Sequence, residues 1–447
     1  MSGRAIEVAV LGAGPAGIAS ACALRRLGHE VALLGVSRNR SLEGLSLRAH
    51  ARLTQLSLGT AAASARGPVP RAGSWGGRTL SPGSEYLVAR ASFDAALLED
   101  ARGHGVQLEP RFARTVRAGA PGWRILVEGG ELRARVVIDA RGRRGHAALL
   151  RGPRLLSVAR RLRWPRCAAG TYLAATAEGW CWLSADGAGA AAVQLVTAAR
   201  RFSRTGPEAA LAAALRQLAR ADARLATARP CEAATVRAAG ARLCDAAPAP
   251  GYLRTGDAAV ALDPLSGQGI GEALAWASAV AAATHTYMEG GAWEAVGRFL
   301  RERAAERFAH GVQLASAFYR EQTRASGAGF FADTAAAYAA LAGEAPAAAR
   351  ASWQLRPVLE GARIELRRVA VTPEAPRGVW QVDAIELAAL HDYLAAVPHA
   401  DARRAAAGLG ADPQAVARAI AWLRARGLLP GRAAVSDPRN LLSGSAS

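Results

Sequence analysis

Apolar and polar positions repeat with two periods along this chain, and each period predicts a kind of element. Ile6 to Leu11 is a short, almost wholly apolar run and predicts a buried strand. Ile18 to Leu27 repeats its apolar residues at helical spacing, Gly28 ends that helix, and Glu30 to Leu34 predicts a second strand. Val136 to Ile138 is a β-branched strand, and Tyr252-Leu253-Arg254 runs into a further strand end. A long Ala-rich helix follows Gly271, and helices charged on one face run from Trp293 to Tyr338. Past Arg350, an amphipathic stretch carries Ile385, Leu387, Leu390 and Leu394. A second helix covers Val416 to Leu423, and Arg424 to Leu429 follow as a short strand-like end. Two helices and such an end suggest either a small winged-helix-like or peptide-binding module or a structural cap. The strand–helix–strand opening predicts an α/β protein.

Composition narrows the chemistry. At roughly 100–200 residues per domain, 447 residues suffice for two to four units. With 51% hydrophobic and 21% charged residues the chain is ordinary globular material, not a disordered one. It has no lysine, so all 56 basic residues are arginine. Schiff-base catalysis, a pyridoxal phosphate aldimine and a P-loop lysine are thereby excluded. A bias towards Ala, Gly and Arg accounts for the missing lysine but not for the excess over 36 acidic residues. The resulting net charge of +20 favours acidic partners. The arginines are scattered in pairs such as Arg160-Arg161, with no zinc-finger spacing or aromatic-flanked basic motif, so nucleic acid is not expected.

Cys22, Cys167, Cys181, Cys231 and Cys244 are odd in number and never spaced CxxC, so neither a disulfide framework nor a metal site is expected, and a cytoplasmic location is. Arg4 and Val8 to Leu11 imitate a secretory signal, but a glycine turn follows at once. Glu272 and His285 interrupt the Ala-rich stretch around Trp276, which argues against a membrane span.

Between the first strand and the first helix stands GAGPAG, that is Gly12, Gly14, Pro15, Ala16 and Gly17 with Ala13. Gly12 permits a tight turn, Gly14 lets a pyrophosphate approach the backbone, and Gly17 lets helix and strand pack closely. The helix start would then face phosphates with free N–H groups. The alternative is a purely structural glycine turn. The acidic residue expected about 20 positions on is missing. Gly35, Val36, Ser37 and Arg38 stand there instead, so Ser37 or Arg38 is the candidate substitute.

Two more segments carry chemistry. The strand ending at Ile138 leads into Asp139-Ala140-Arg141-Gly142. Later come Gly256-Asp257 and Asp263-Pro264-Leu265-Ser266-Gly267-Gln268-Gly269-Ile270-Gly271. Asp257 at a strand end can accept hydrogen bonds from sugar-alcohol hydroxyls. The Pro264–Gly271 loop offers backbone N–H groups to an electron-rich ring edge or an anion.

With GAGPAG, DARG and GDAAVALDPLSGQGIG in this order, the sequence resembles the FAD-dependent aromatic hydroxylase superfamily, which includes flavin halogenases and geranylgeranyl reductases. The resemblance implies that Gly12, Gly14, Pro15, Ala16 and Gly17 hold the FAD pyrophosphate and that Asp257 holds the ribityl chain. Pro264, Gly267, Gln268, Gly269, Ile270 and Gly271 would lie beside the isoalloxazine. Arg48, in EGLSLR, and Arg90, in ARASFDAAL, match arginine positions of the family, and Glu43 would take the missing ribose contact.

Halogenases of this superfamily rely on a lysine, absent here, and on a WxWxIP motif, whereas Trp180-Cys181-Trp182 continues into Leu183-Ser184. The EGLSLR, RAGSWGG, DARGRRG and GWCWL segments look most like the flavoprotein monooxygenases that mature the tryptophylquinone of quinohemoprotein amine dehydrogenase. That resemblance implies hydroxylation of a peptidyl tryptophan through a flavin C4a-hydroperoxide, with O2 and with electrons from NAD(P)H or a reductase. The partner would be an acidic protein or peptide. A prenyl reductase, or a flavoprotein scaffold that binds an acidic partner without catalysis, is the alternative.

Motif order predicts a discontinuous, Rossmann-like FAD-binding domain of residues 1–65, 85–156 and 253–283. An interleaved sheet-based substrate domain (66–84 and 157–252), a helical segment (284–350) and a small C-terminal domain (351–447) would complete the chain. His146 is the candidate acid or base. Trp75, Trp180 and Trp182 are candidates for the substrate pocket; alternation puts the last two on one strand face, as a pocket wall or as core.

Overall fold

The computed structural model describes residues 5–37, 40–144, 147–165, 167–221, 223–342 and 350–429. Its architecture is the α/β class predicted from the sequence. Two large sheets carry most of the strands, and helices cover them.

The first sheet is built on the apolar N-terminal strand Ala5–Leu11, which pairs in parallel with Val31–Leu34 on one side and Gly130–Asp139 on the other. Gln107–Glu109 extends it beyond Val31–Leu34, also in parallel. Tyr252–Arg254 pairs in parallel with the last residues of Gly130–Asp139, whose first residues pair antiparallel with Trp123–Val127. Val8, Val10, Val136 and Ile138 are fully buried in the largest core cluster, while Ala9, Leu11 and Val137 face a second one. Burial on both faces is why these strands read as continuous apolar runs. The helix Pro15–Arg26 buries nine consecutive residues, Ala16 to Leu24. It lies against the Ala-rich helix Gly269–Met288, whose small side chains allow the close approach.

The second sheet has ten strands and is mostly antiparallel. Leu155–Arg163, Ala190–Ala198, Gly179–Ala185 and Gly170–Thr176 succeed one another across it, and Gly170–Thr176 then pairs in parallel with Arg66–Trp75. Strands Gly83–Ala89 and Leu42–Ser46 close that side. The helices Trp293–Ser326 and Phe330–Ala342 pack on each other; the helices read from Trp293 to Tyr338 are these two, separated at Gly327 and Gly329, both at positive φ.

By compactness the chain divides into a large unit of residues 1–344 with 359–364 and a smaller one of residues 345–358 with 365–447. The smaller unit contains the helical module predicted, with helices Leu387–Ala396, Ala402–Leu409 and Pro413–Ala425 around Leu387, Leu390, Val416 and Leu423. It differs in two respects. A three-stranded sheet of Ser352–Glu360, Arg363–Thr372 and Ala375–Val379 precedes the helices, and Gly427 to Leu429 form turns and bends instead of a strand. No helix among the described residues is long and apolar enough to cross a membrane.

Candidate active site

Three segments far apart in the sequence leave the first sheet side by side. Leu11 stands opposite Asp139, and Asp139 opposite Arg254, at the carboxyl ends of adjacent parallel strands. The GAGPAG turn, the DARG turn and the Gly256-Asp257 turn therefore begin at one level, outside the strand ends where open α/β sheets bind ligands. Backbone bonds lock the junction: Ala140 N–H donates to the Leu11 carbonyl at 2.8 Å and Thr255 N–H to the Asp139 carbonyl at 3.0 Å.

The three glycines of GAGPAG play different physical parts. Gly12 has φ +116°, and a Cβ there would lie 2.6 Å from the Ala140 carbonyl oxygen. A Cβ on Gly17 would fall 2.0 Å from the Gly12 oxygen. At Gly14, which caps the helix without any side-chain bond, a Cβ would meet nothing within 4 Å. Pro15 and buried Ala16 start the helix behind it. Two positions closed by backbone and one open at a helix start form a cradle that fits the pyrophosphate of FAD.

Asp139 is fully buried and serves the fold. Arg141 clamps it through Nε at 3.0 Å and Nη2 at 2.5 Å, and the Tyr252 hydroxyl donates to it at 2.6 Å. The bond from Asp139 raises the Arg141 pKa, and burial raises that of Tyr252. Arg143, two residues on, ties the later segments together: it donates to Asp257 at 3.1 Å and to the carbonyls of Gly240 and Leu262 at 2.5 and 2.9 Å. Asp257 is half-exposed at the strand end.

The loop of Pro264, Gly267, Gln268, Gly269, Ile270 and Gly271 starts from buried Asp263. Its carboxylate accepts from Leu265 N–H at 2.9 Å, from the Tyr338 hydroxyl at 2.7 Å and from the Tyr319 hydroxyl at 3.2 Å. Tyr319 in turn accepts from Trp180 Nε1 at 2.9 Å. Burial pushes the Asp263 pKa up, and these donors pull it back; burial and the neighbouring Asp263 raise both tyrosines. Gly267 takes φ +60°, and open space faces both Gly267 and Gly269. Ile270 is buried, and Arg307 holds Gln268 and Glu272 at 2.7 Å each. Ala49 of the helix Leu47–Gln55 touches Gly271 so closely that a Cβ there would lie 3.3 Å from its methyl. Arg48, the adjacent residue, is exposed.

At the end of the second strand, Ser37 donates to Asp94. Arg90 joins that carboxylate at 2.9 and 3.0 Å to Glu43 at 3.1 Å, and Glu43 also accepts from Ser41 at 2.6 Å. Burial disfavours the Arg90 charge, but the two carboxylates outweigh it and its pKa is raised. Arg38 and His146 lie outside the described residues.

A cavity of about 300 Å3 opens on the second sheet. Trp182, Gln194, Ala159 and Thr235 stand in register across four strands and form its floor. Pro264, the first residue of the glycine-rich loop, and Arg143 reach it too, as does Glu43. Trp180 and Trp182 do share one strand face, since Cys181 between them packs into a different cluster. Trp180, however, is 2% exposed, and so is Trp75 at 3%, with its Nε1 bonded to the Phe318 carbonyl at 2.9 Å. Of the three tryptophans, Trp182 alone lines the cavity. Arg143, Asp263, Tyr319 and Tyr338 are the residues that sequence reasoning missed. Asp263 and Arg143 both stood inside recognised segments; the tyrosines carried no signal.

No family model matches the sequence, and no curated protein matches it either. Solved structures do. A peptidyl tryptophan dihydroxylase essential for tryptophylquinone cofactor biogenesis, QhpG, is 28% identical, with 95% of this chain and 100% of that one covered at a TM-score of 0.80. The flavin-dependent halogenase CmlS is 19% identical over 95% of this chain and 96% of its own, with a TM-score of 0.70. PqsL of Pseudomonas aeruginosa, an FAD-dependent monooxygenase, is 21% identical over 74% and 99%, with a TM-score of 0.57. The latter two likenesses are of fold, and all three are to flavoproteins. In its fold and in the three segments gathered at one sheet edge, the chain is similar to FAD-dependent monooxygenases and flavin-dependent halogenases.

Proposed function

We propose that this chain is an FAD-dependent monooxygenase that hydroxylates a tryptophan side chain within another protein during assembly of a tryptophylquinone cofactor. The observation that carries the reading is the meeting of loop and cleft: Pro264, which begins the glycine-rich loop, also walls the cavity floored by Trp182. The 28% identity to a peptidyl tryptophan dihydroxylase over 95% of the chain supports the substrate class. The fold likeness to halogenases does not extend to their chemistry, because this chain has no lysine.

Bound FAD supplies the electrons and oxygen activation by which one atom of O2 enters an aromatic C–H bond and the other leaves as water. With one dinucleotide fingerprint, the electrons come from transiently docked NAD(P)H or from a separate reductase. The chain's own residues bind, orient and exclude water. Gly14 and the helix start behind it take the pyrophosphate, Asp257 accepts from sugar-alcohol hydroxyls, and Trp182 with Ala159 presents an apolar surface to an indole. Asp263 is unsuited to be a general base: it is buried and already accepts three hydrogen bonds. Indole is a carbon nucleophile, and the reaction can proceed without one. The partner is a protein, and the net charge of +20 suits an acidic one. Five free cysteines suit a reducing compartment such as the cytoplasm.

The test is to purify the protein with FAD, supply reduced nicotinamide or a reductase in air, and add the unmodified tryptophylquinone-bearing subunit. Mass spectrometry should show oxygen added to one tryptophan. A protein that takes up no flavin, or that leaves the subunit unchanged, overturns the proposal.

A further inference from the structure

The cavity at Trp182 is not a closed pocket. It shares Arg40, Ser41, Leu42 and Arg161 with a second cavity of about 920 Å3, so the two form one trough. The inner end is the size of a small-ligand pocket, roughly 300 Å3 or more, and an indole with its backbone would fill it. The outer end is far larger than one side chain needs, and it fits a length of polypeptide. The polar groups on the floor, Gln194 and its partner Ser157 at 2.8 Å, can serve a peptide main chain.

The charge on the walls is uneven. Arg66, Arg143 and Arg161 are each held by a carboxylate, from Asp186, Asp257 and Glu232. Arg237 at the inner end and Arg163 at the outer end have no carboxylate partner among the described residues, whereas Arg40, which lines both ends, acts on the Glu232 carboxylate. Arg163 and Arg237 are exposed at the trough with free guanidinium groups, which can take a carboxylate through two parallel hydrogen bonds. Arg237 stands opposite Ser157 in register, next to the Thr235 end of the row that Trp182 begins. A guanidinium is thus placed within a few residues' reach of the proposed target on either side.

We infer that the trough selects a peptide segment whose target tryptophan is flanked by acidic side chains, read by Arg163 and Arg237. This rests on the proposed tryptophan hydroxylation and specifies its substrate. A single-stranded nucleic acid is the less favoured occupant. Such strands need successive aromatic platforms, whereas Trp182 is the one aromatic side chain among the described residues that lines either cavity.

The test uses the FAD-loaded full chain and short synthetic peptides with one central tryptophan flanked by Glu, by Gln or by Arg. Binding is read by fluorescence anisotropy at low and high salt. The Glu peptide should bind roughly tenfold or more tightly than the Gln peptide, as one or two charge-assisted bonds imply, and lose that advantage at high salt. Arg237→Glu combined with Arg163→Glu should weaken the Glu peptide, leave the Gln peptide unchanged and strengthen the Arg peptide. If that variant fails to keep its flavin, the ranking of the three peptides on the unaltered protein still decides. Equal binding of Glu and Gln peptides overturns the inference, as does tighter binding of an oligothymidylate than of the Glu peptide. Hydroxylation of the Gln peptide as efficient as that of the Glu peptide also sinks the charge selection, while leaving the monooxygenase standing. A Glu preference with no oxygen added to any peptide does the reverse.

Discussion

The Tyr338 hydroxyl donates to Asp263 at 2.7 Å, and Tyr319 donates to the same carboxylate at 3.2 Å. Two successive helices, Trp293–Ser326 and Phe330–Ala342, therefore hold the residue from which the glycine-rich loop springs. Within the loop open space faces Gly267 and Gly269, and Arg307 holds Gln268 between them. The loop's position is set from behind, by a buried carboxyl group whose pKa burial raises and whose donors pull it only part of the way back.

Tyr338→Phe removes one of those donors without opening a cavity. A buried acceptor left short of a hydrogen bond costs roughly 1–3 kcal/mol. Denaturant unfolding should register that loss, and flavin titration should show weaker binding in the folded variant. Unchanged stability and unchanged flavin affinity would separate Asp263 from the loop.

Gly14 and Gly17 should respond oppositely to the same small change. Gly17→Ala forces a methyl to 2.0 Å from the Gly12 oxygen, so the flavin-free fold itself should fail. Gly14→Ala meets no protein atom within 4 Å, so the apoprotein should melt as before while flavin content falls. A Gly14→Ala protein with full flavin occupancy would remove the pyrophosphate from this turn.

Asp257 is half-exposed and bonded through one oxygen to Arg143. Asp257→Ala should leave the melting temperature of the apoprotein nearly unchanged and lower flavin retention during gel filtration. Retention equal to the parent's would mean that the ribityl hydroxyls are held elsewhere.

How much of this was legible depended on whether a signal is local. Gly12, Gly14 and Gly17 are read from six consecutive letters because turn, approach and packing all act within one βα unit. The parallel pairing of Leu11, Asp139 and Arg254 could be inferred only through the order of the three segments, since sheet neighbours leave no mark on one another's sequence. Tyr319 and Tyr338 lie 56 and 75 positions from Asp263 and resemble any core aromatic of a helix. Arg40, Arg163 and Arg237 were hidden among 56 arginines, and only the fold distinguishes those that line a trough. Trp75 and Trp180 read as pocket candidates for the opposite reason: a tryptophan is conspicuous in a sequence whether it faces a ligand or, as here, a hydrogen-bonded core.

Arg90 links Glu43 to Asp94, with 11% of its side chain exposed against 3% for Asp94. Arg90→Ala leaves a buried carboxylate uncompensated, a loss of about 3–5 kcal/mol for buried pairs. Arg90→Lys restores charge but not the two-pronged contact to Asp94, so it should recover only part of that stability. Equal stability of the Lys variant and the parent would show that charge alone matters here.

His29 gives the large unit an acid-sensitive point. Its Nε2 lies 2.9 Å from Nδ1 of His285, and it is 6% exposed. Burial first, then His285 and Arg135, lower its pKa below 6.5; Glu7 and Glu289 act the other way, Glu7 from 3.8 Å. A histidine whose pKa is lower in the folded state contributes stability above its unfolded pKa. That contribution is lost as pH falls from about 6.5 through the folded value, because the unfolded chain then binds the proton more readily. His29→Gln should therefore lose stability at neutral pH yet show a shallower decline from pH 7 to pH 5 than the parent. Glu7→Gln, which removes the charge that favours protonation, should make the decline steeper. Denaturant midpoints across that range would decide the matter, and parallel curves for His29→Gln and the parent would assign the acid sensitivity to other groups.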